Sequence, residues 1–237
     1  MEGYISDIVV KKDLCTVNFA GCDFKCPFCS KAELVNFDKR FLNDLKIIKK
    51  DIKASKSGYV VFSGGEPCLQ KDALIELMSF CKKLNKKNIL ETNGSNPDVI
   101  LELINKKLAD VIKLDIKAPL IESIFENATR SNTFFKKTKE IIENIKKTLR
   151  ILKENESKVD VEIRTTIVPS LIYKKEDIAK IGDEIKEINC MWRLQQFSSD
   201  DKTVDPKFEN IKSPSKEFLE NLKAYCLKKN PNLRIEV

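Results

Sequence analysis

The stretch YVVFSGGEPCLQKDALIELMSFCKKL, residues 59–84, contains the structural unit that recurs along the chain. Its first four residues are apolar or aromatic, which is typical of a buried β-strand, and the glycine pair after them indicates a tight turn. From residue 72 onward, apolar residues recur at intervals of three and four, which predicts an amphipathic helix. The stretch therefore predicts a strand followed by a helix.

Short apolar segments and longer amphipathic segments alternate along the rest of the chain. Further strands are predicted at 15–20, 88–90, 111–116, 159–168, 192–197 and 233–237. Further helices are predicted at 41–55, 97–108, 134–154, 178–188 and 215–229. This alternation favours an α/β fold with a parallel sheet, because each crossover returns the chain to the sheet by a right-handed path. Six or seven such units would form a partial barrel.

The organisation of the chain predicts one domain over all 237 residues. No linker, low-complexity tract or repeat interrupts the alternation. We expect a core at about 15–198 and a C-terminal helix and strand within 199–237. In α/β folds the functional loops gather at the carboxyl ends of the strands, and the unusual residues of this sequence fall at such ends.

Composition narrows the classes of function. The chain has no histidine, so acid–base and metal chemistry must use Cys, Asp, Glu or Lys. The net charge is +7, but the lysines are interspersed with acids and form no basic stripe, which argues against nucleic-acid binding. The N-terminus lacks a signal segment and no apolar run could cross a bilayer. We expect a cytoplasmic protein, whose eight cysteines are thiols or metal ligands.

The loop GCDFKCPFCSKAE, residues 21–33, places Cys22, Cys26 and Cys29 close together. Packed thiols are one interpretation, although the polar loop lacks the apolar context of buried structural cysteine. A zinc site completed by a remote cysteine is a second. A [4Fe-4S] cluster with one iron left open to a small molecule is a third, and it explains why three ligands suffice.

Two other strand ends carry residues suited to a ligand. Gly64 and Gly65 would allow close approach to the backbone, and Glu66 would hold polar groups of the ligand. Asp115 and Lys117 follow a strand that should be buried on both faces, so they need a charged partner, such as a zwitterion. Each of these segments also has a purely structural interpretation as a turn or a surface strand.

The segment CDFKCPFC fits the pattern CxxxCxxC, with Phe28 before the last cysteine and SGGEP about 35 residues later. This combination resembles the radical S-adenosylmethionine (SAM) superfamily. The order of ETNG, LDIK, RTTIVP and LQQF is similar to that in activating enzymes of glycyl-radical proteins. The short chain most resembles the activating proteins of anaerobic ribonucleoside-triphosphate reductase, over about 15–198.

The resemblance implies a partial (β/α)6 barrel of the TIM type, with a [4Fe-4S] cluster and SAM as cofactors. It implies reductive cleavage of SAM to a 5′-deoxyadenosyl radical, which abstracts hydrogen from a glycine of a partner enzyme. The implied partners are a glycyl-radical enzyme, anaerobic ribonucleotide reductase, and a flavodoxin- or ferredoxin-like electron donor. Nucleic acid and membrane are not expected partners.

The resemblance also implies roles for individual residues. The implied cluster ligands are Cys22, Cys26 and Cys29. It implies that the adenosine lies along Phe28, Cys29 and Ser30. It also implies that the methionine amino group is held by Gly64, Gly65 and Glu66. Lys117 would meet the carboxylate, with Glu91 and Asp115 near SAM or a bound cation. Ser30 and Ser198 stand where many activators have histidine.

Two alternatives remain from the sequence. The first is a radical SAM enzyme that acts on a small molecule, similar to 7-carboxy-7-deazaguanine synthase, or on another peptide. The second is a zinc-stabilised interaction domain without catalytic activity.

Overall fold

A computed structural model describes residues 1–133, 136–198 and 202–237. Within these ranges, nine strands form one sheet: β1 (Glu2–Lys11), β2 (Leu14–Phe19), β3 (Leu42–Asp44), β4 (Tyr59–Gly64), β5 (Lys87–Thr92), β6 (Val111–Asp115), β7 (Asp160–Ile167), β8 (Met191–Gln196) and β9 (Arg234–Glu236). The same ranges contain seven α-helices: α1 (Leu45–Ala54), α2 (Lys71–Lys83), α3 (Pro97–Asn105), α4 (Glu122–Thr129), α5 (Thr138–Glu154), α6 (Lys175–Ile185) and α7 (Lys216–Lys229).

The strands lie in the order β3-β1-β2-β4-β5-β6-β7-β8-β9. From β2 to β9 all neighbouring pairs are parallel, whereas β1 is antiparallel to both β2 and β3. Six of the parallel strands, β2 and β4 to β8, are each followed along the chain by at least one α-helix. This arrangement confirms the partial (β/α)6 barrel. The sheet is open, because β3 and β9 form its two edges.

All strands and helices predicted from the sequence are present, with shifted ends. The predicted helix at 134–154 corresponds to α5, although positions 134 and 135 lie outside the described residues. Three elements were not predicted: β1, β3 and α4. Strand β1, which lies beside the edge strand β3, carries charged residues, and α4 spans 8 residues, so neither gives a long apolar pattern.

The two faces of the sheet differ in chemistry. On β6, Ile112 and Leu114 are fully buried in the hydrophobic core, whereas Lys113 and Asp115 alternate with them and remain partly exposed. Strand β8 repeats the pattern, with buried Trp192 beside the partly exposed Arg193. One face therefore packs in the core, while the other lines a partly solvated barrel interior.

The interior face is crossed by ion pairs. Glu162 lies 3.8 Å from Lys113 and 3.7 Å from Arg193, whose guanidinium also lies 2.8 Å from Glu236. The expectation that β6, the strand before Lys117, is buried on both faces is therefore wrong, whereas consecutive residues of β4 and β5 are buried. Because the sheet does not close, its inner face can carry charges that are paired with one another and partly hydrated.

Among the residues that the structure describes, no helix is both long enough and apolar enough to span a bilayer.

Candidate active site

A cavity of about 440 Å³ lies at the carboxyl ends of the parallel strands. Most residues assigned from the sequence lie on its wall: Cys22, Cys26, Phe28, Cys29, Ser30, Gly64, Gly65, Glu91, Asp115, Lys117 and Ser198. Separate loops along the sequence are thus brought together by the parallel sheet, because its strands all end at the same edge. Glu66 is not part of this wall. The wall also includes Lys31 and Arg164, which were not predicted as site residues from the sequence.

The three clustered cysteines are free thiols on this wall. Cys26 is buried, while Cys22 and Cys29 are half-buried. Burial raises the pKa of Cys26 to about 12, although nearby Lys117 acts in the opposite direction. The Cys26 thiol is therefore protonated without a metal, and metal binding must displace this proton.

The arrangement of the thiols fits a cluster. All three face one cavity, yet no three Cys, Asp or Glu groups within residues 1–133, 136–198 and 202–237 are placed to bind a single metal ion. A zinc ion needs thiolates gathered about 2.3 Å from one centre. An iron–sulfur cluster instead binds each cysteine to a different iron, so its ligands can be spread around a wall. The donor set therefore suits a [4Fe-4S] cluster better than zinc.

The cysteine loop is held from outside by two later segments. The Lys25 N–H donates to the Thr129 carbonyl over 2.8 Å. The N–H groups of Val204 and Asp205 donate to the carbonyls of Cys29 and Pro27, over 3.2 and 2.9 Å. These main-chain bonds hold the loop in place.

Four charged side chains of the cavity wall form a chain of ion pairs. Arg164 on β7 donates from Nε to Asp115 Oδ1 and from a terminal nitrogen to Glu91 Oε1, both over 2.7 Å. Lys117 donates to the other oxygen of Asp115 over 2.8 Å. Two acids and two bases are therefore paired with one another on the cavity wall.

This chain of ion pairs corrects one expectation. The charges of Asp115 and Lys117 do not need a ligand to be compensated, because Arg164 and Glu91 complete the set. Burial by itself would raise the pKa of Asp115, but Lys117 and Arg164 outweigh it and hold that pKa at about 2. Burial also acts to raise the pKa of Glu91, but Arg164 overcomes it and lowers that pKa. Both acids are therefore ionised at neutral pH.

Arg164 could have been found from the register of the sheet. Asp115 and Arg164 are direct partners of the β6–β7 ladder, so their side chains project from the same face. Sequence alone shows an arginine in a strand, but it does not say which residue of the next strand lies beside it.

Lys31, two residues after Cys29 in the cysteine loop, forms a second set of polar contacts on the wall. Its ammonium group donates to Asn18 Oδ1 over 3.1 Å and to Ser63 Oγ over 3.2 Å. The Ser63 hydroxyl in turn donates to Glu91 over 2.7 Å. An ammonium group has three donors, so Lys31 has the capacity for a further bond to a bound ligand.

Glu66 lies behind the wall and is not a cavity residue. It is fully buried, and its carboxylate accepts from the N–H groups of Cys68 and Asn93 and from the Thr92 hydroxyl, over 3.0, 2.7 and 2.8 Å. This position does not support contact between the Glu66 side chain and a ligand. Its bonds instead hold the loop after β5 against the turn after β4. Cys68 is a buried thiol.

The glycine pair serves close packing of the backbone. Gly64 has a φ of +111°, and a Cβ there would lie 2.2 Å from the Phe19 carbonyl oxygen. A Cβ on Gly65 would lie 2.3 Å from the Gly21 carbonyl oxygen. The group that approaches these glycines so closely is therefore the chain that leads into the cysteine loop, while both glycines also border the cavity.

Comparison with known proteins identifies the superfamily of the chain. Residues 18–184 match the model of the radical SAM superfamily. The chain is 32% identical to "Putative glycyl-radical enzyme activating enzyme MJ1227" of Methanocaldococcus jannaschii, over 94% of this chain and 91% of that protein. It is 26% identical to the pyruvate formate-lyase-activating enzyme of Clostridium pasteurianum, over 88% of each.

Two further similarities concern a different activity and the fold. The chain is 26% identical to the 7-carboxy-7-deazaguanine synthase of M. jannaschii, over 93% of this chain and 88% of that enzyme. A crystal structure of a radical SAM methyltransferase from Sphaerobacter thermophilus superposes with a TM-score of 0.68 at 13% identity, over 97% of this chain and 67% of that one. The superfamily match over residues 18–184, together with the cysteine-lined cavity, shows that the chain belongs to the radical SAM superfamily.

Proposed function

We propose that the protein activates a glycyl-radical enzyme by abstracting hydrogen from one of its glycine residues. The observation that carries the proposal is the cavity of three thiols and paired charges at the mouth of an open barrel. The similarity to the M. jannaschii protein over almost the whole chain supports the same activity. The family's cofactors, a [4Fe-4S] cluster and SAM, fit this donor set.

When bound, the reduced cluster and SAM together supply a 5′-deoxyadenosyl radical. In the proposal, Cys22, Cys26 and Cys29 hold the cluster, and Phe28 and Ser30 lie along the adenosine. Phe28 is buried with its ring 6.5 Å from that of Phe208, so it presents a fixed apolar surface. Ser198 borders the same space.

The charged wall orients the amino-acid end of SAM in this proposal. Lys117 and Arg164 offer cationic donors to a carboxylate, and Asp115 and Glu91 offer acceptors to an ammonium group. Gly64 and Gly65 add main-chain atoms on the cavity side. Because these groups are already paired and fixed, a zwitterionic ligand meets donors and acceptors that need little reorganisation.

A glycine loop of another protein suits the open barrel. Helices and strands account for most of the described residues, and the edges β3 and β9 leave one side of the sheet unclosed. A glycine has no side chain, so its Cα can approach a narrow mouth that would exclude larger residues. No general base is required for hydrogen-atom abstraction, which suits a chain without histidine.

We propose anaerobic ribonucleoside-triphosphate reductase as the partner, and the cytoplasm as the compartment. The short chain and its LQQF segment resemble the activators of that reductase, and all eight cysteines are free thiols, as expected in a reducing environment.

The test is electron paramagnetic resonance after anaerobic incubation of the reconstituted protein with SAM, a reductant and the reductase of the same organism. A glycyl doublet that disappears when the C-terminal-region glycine of the reductase is changed to alanine is expected. Pyruvate formate-lyase, tested in parallel, distinguishes partners within the class.

The similarity to 7-carboxy-7-deazaguanine synthase makes a small-molecule substrate the second candidate. SAM cleavage without any protein radical, but with formation of 7-carboxy-7-deazaguanine, would replace the first proposal with the second.

A further inference from the structure

Lys25 is an exposed residue of the cysteine loop that stands between two cavity-lining residues. Phe24 and Cys26, on either side of it, are buried and line the cavity, whereas the side chain of Lys25 is exposed to solvent. An electron that arrives from outside therefore has a path of one residue of chain to a proposed cluster ligand.

Two basic segments pack against the outer side of this loop. The Thr129 carbonyl accepts from the Lys25 N–H, and Arg130 is the next residue. The Arg130 guanidinium pairs with Asp205 over 2.7 Å. Lys136 pairs with Asp23 of the loop over 3.3 Å. Lys207 comes two residues after Asp205, whose carboxylate accepts from the Lys207 N–H. These two segments and Lys25 of the loop thus bring basic residues from three parts of the chain to one surface.

At this surface the side chains of Asp23 and Asp205 are more buried than those of the basic residues. The side chains of Asp23 and Asp205 are 14% and 17% exposed, so the acids lie inward. Arg130 is 49% exposed, and Lys25, Lys137 and Lys207 are also exposed. Some cations have acidic partners, and the exposed Glu140 accepts from the Lys137 N–H over 3.2 Å. Among the described residues, the remaining exposed charges of this surface belong to lysine and arginine.

We propose that this outer patch, formed by Lys25, Arg130, Lys136, Lys137 and Lys207, docks an acidic ferredoxin that reduces the cluster. The proposal rests on the proposed function to the extent that this function requires a reduced cluster. One electron leaves the reduced ferredoxin and one enters the cluster, and no proton or bond is exchanged.

The chemistry of the patch fits such a carrier. Opposite charges on two proteins raise the rate of encounter by about 10- to 1,000-fold at low ionic strength. Electron-transfer complexes are small and short-lived, so a few exposed cations suffice without a large apolar surface. The patch lies on the outer side of the cysteine loop, while the cavity lies on its inner side. A carrier on the patch would therefore leave the cavity open to the partner glycine.

The test uses the reconstituted protein and a reduced plant-type [2Fe-2S] ferredoxin as the probe. The variant Lys25→Glu/Lys207→Glu reverses two charges of the patch. The matched control, Lys50→Glu/Lys53→Glu, changes the net charge equally by substituting two exposed lysines of α1. Stopped-flow absorbance gives the second-order rate of cluster reduction, and calorimetry gives the affinity for oxidised ferredoxin at the same ionic strength.

We expect the patch variant to be reduced about tenfold more slowly than the control at low salt, with weaker binding, because steering is lost. The difference should vanish near 1 M salt, where the Debye length is about 3 Å. Photoreduced 5-deazariboflavin, a small uncharged donor, should reduce both variants at the same rate. If the cluster does not assemble in the patch variant, because one substitution lies beside a proposed ligand, Lys137→Glu tests the same surface away from the ligands.

Equal rates with ferredoxin in the patch variant and the control would overturn the proposal. So would a patch variant that loses glycyl-radical formation but keeps its rate of reduction by ferredoxin, because the patch would then hold the partner enzyme. The reduction assay contains no partner enzyme. Failure of the wild-type protein to form a glycyl radical would therefore count against the proposed function alone.

Discussion

Arg164→Gln is the substitution whose effect the structure predicts most directly. The Arg164 side chain is 11% exposed and is the shared partner of Glu91 and Asp115, with both contacts at 2.7 Å. Glutamine keeps a polar group of similar reach but removes the positive charge. The variant therefore leaves two carboxylates on one wall with Lys117 as the remaining direct cation of the chain of ion pairs.

The expected loss follows from burial and from the pKa of Asp115. Removing one partner of a buried pair costs about 3–5 kcal/mol, and partial exposure and the retained Lys117 reduce this to about 2–3 kcal/mol. In the wild type, the pKa of Asp115 is lowered from 3.8 to about 2, which corresponds to about 2 kcal/mol of stability. That stability is present above pH 3.8 and is lost as the pH falls toward 2.

The substitution should also change the pH dependence of unfolding. Without Arg164, the pKa values of Asp115 and Glu91 should rise, because Arg164 lowers both in the wild type. Protonation would then relieve the repulsion, so the destabilisation should be largest at about pH 7 and smaller near pH 4.5. Urea unfolding of the cluster-free protein under reducing conditions, followed by circular dichroism, measures the free energy at each pH.

Arg193→Gln is the matched control, since Arg193 is the strand partner of Arg164 but is 40% exposed. Its loss should be at most about 1 kcal/mol, as for solvent-exposed ion pairs. If Arg164→Gln cost no more than Arg193→Gln, or if its cost did not change with pH, the chain of ion pairs would not have the energetic role assigned to it.

Three further predictions concern the cofactor site and the turn beside it. Cys26→Ala should abolish cluster assembly, whereas Cys68→Ala should retain it. Cys68 is a buried thiol whose sulfur lies 3.7 Å from the Thr92 hydroxyl oxygen, and it is not part of the cavity wall. Iron and sulfide analysis of both variants measures cluster assembly. Lys117→Met should weaken SAM binding about tenfold by removing one charge-assisted bond, and unchanged affinity in anaerobic calorimetry would show that the ammonium group does not meet the ligand. Gly64→Ala should destabilise the fold by more than about 3 kcal/mol, since the new Cβ would meet the Phe19 carbonyl at 2.2 Å, whereas Gly58→Ala, with 3.4 Å to Asp13, should cost much less; thermal unfolding compares them.

The order of strands and helices could be predicted because packing in the core leaves a clear pattern. Residues such as Leu74 and Leu77 of α2, or Ile112 and Leu114 of β6, are fully buried, and their spacing follows the geometry of each element. The site could be predicted to the level of its loops, because parallel strands place their carboxyl ends at one edge. Neither inference required any knowledge of which side chains touch.

What could not be predicted depends on register and orientation. The pairing of Arg164 with Asp115 joins residues 49 positions apart, and it follows from which residue of β7 lies beside β6. The burial of Glu66 depends on the donors of Thr92 and Asn93, which come from another strand end. A motif indicates that a glutamate follows two glycines, but it does not say whether the carboxylate faces the cavity or the protein.

The division of the sheet into two faces explains how one architecture combines stability with a charged cavity. Apolar side chains such as Trp192 face the core, where burial stabilises the fold, so the interior face is free to carry charge. On that face the ion pair of Glu162 with Lys113 lies nearer the amino ends of β6 and β7, and we call it the lower pair. The ion pair of Arg164 with Asp115 lies nearer the carboxyl ends of the same strands and is the upper pair. The lower pair occupies the barrel interior, and the upper pair borders the cavity. Substitutions on the interior face near the strand ends should therefore alter ligand binding far more than substitutions one step lower on the same face, although both sets of residues are charged.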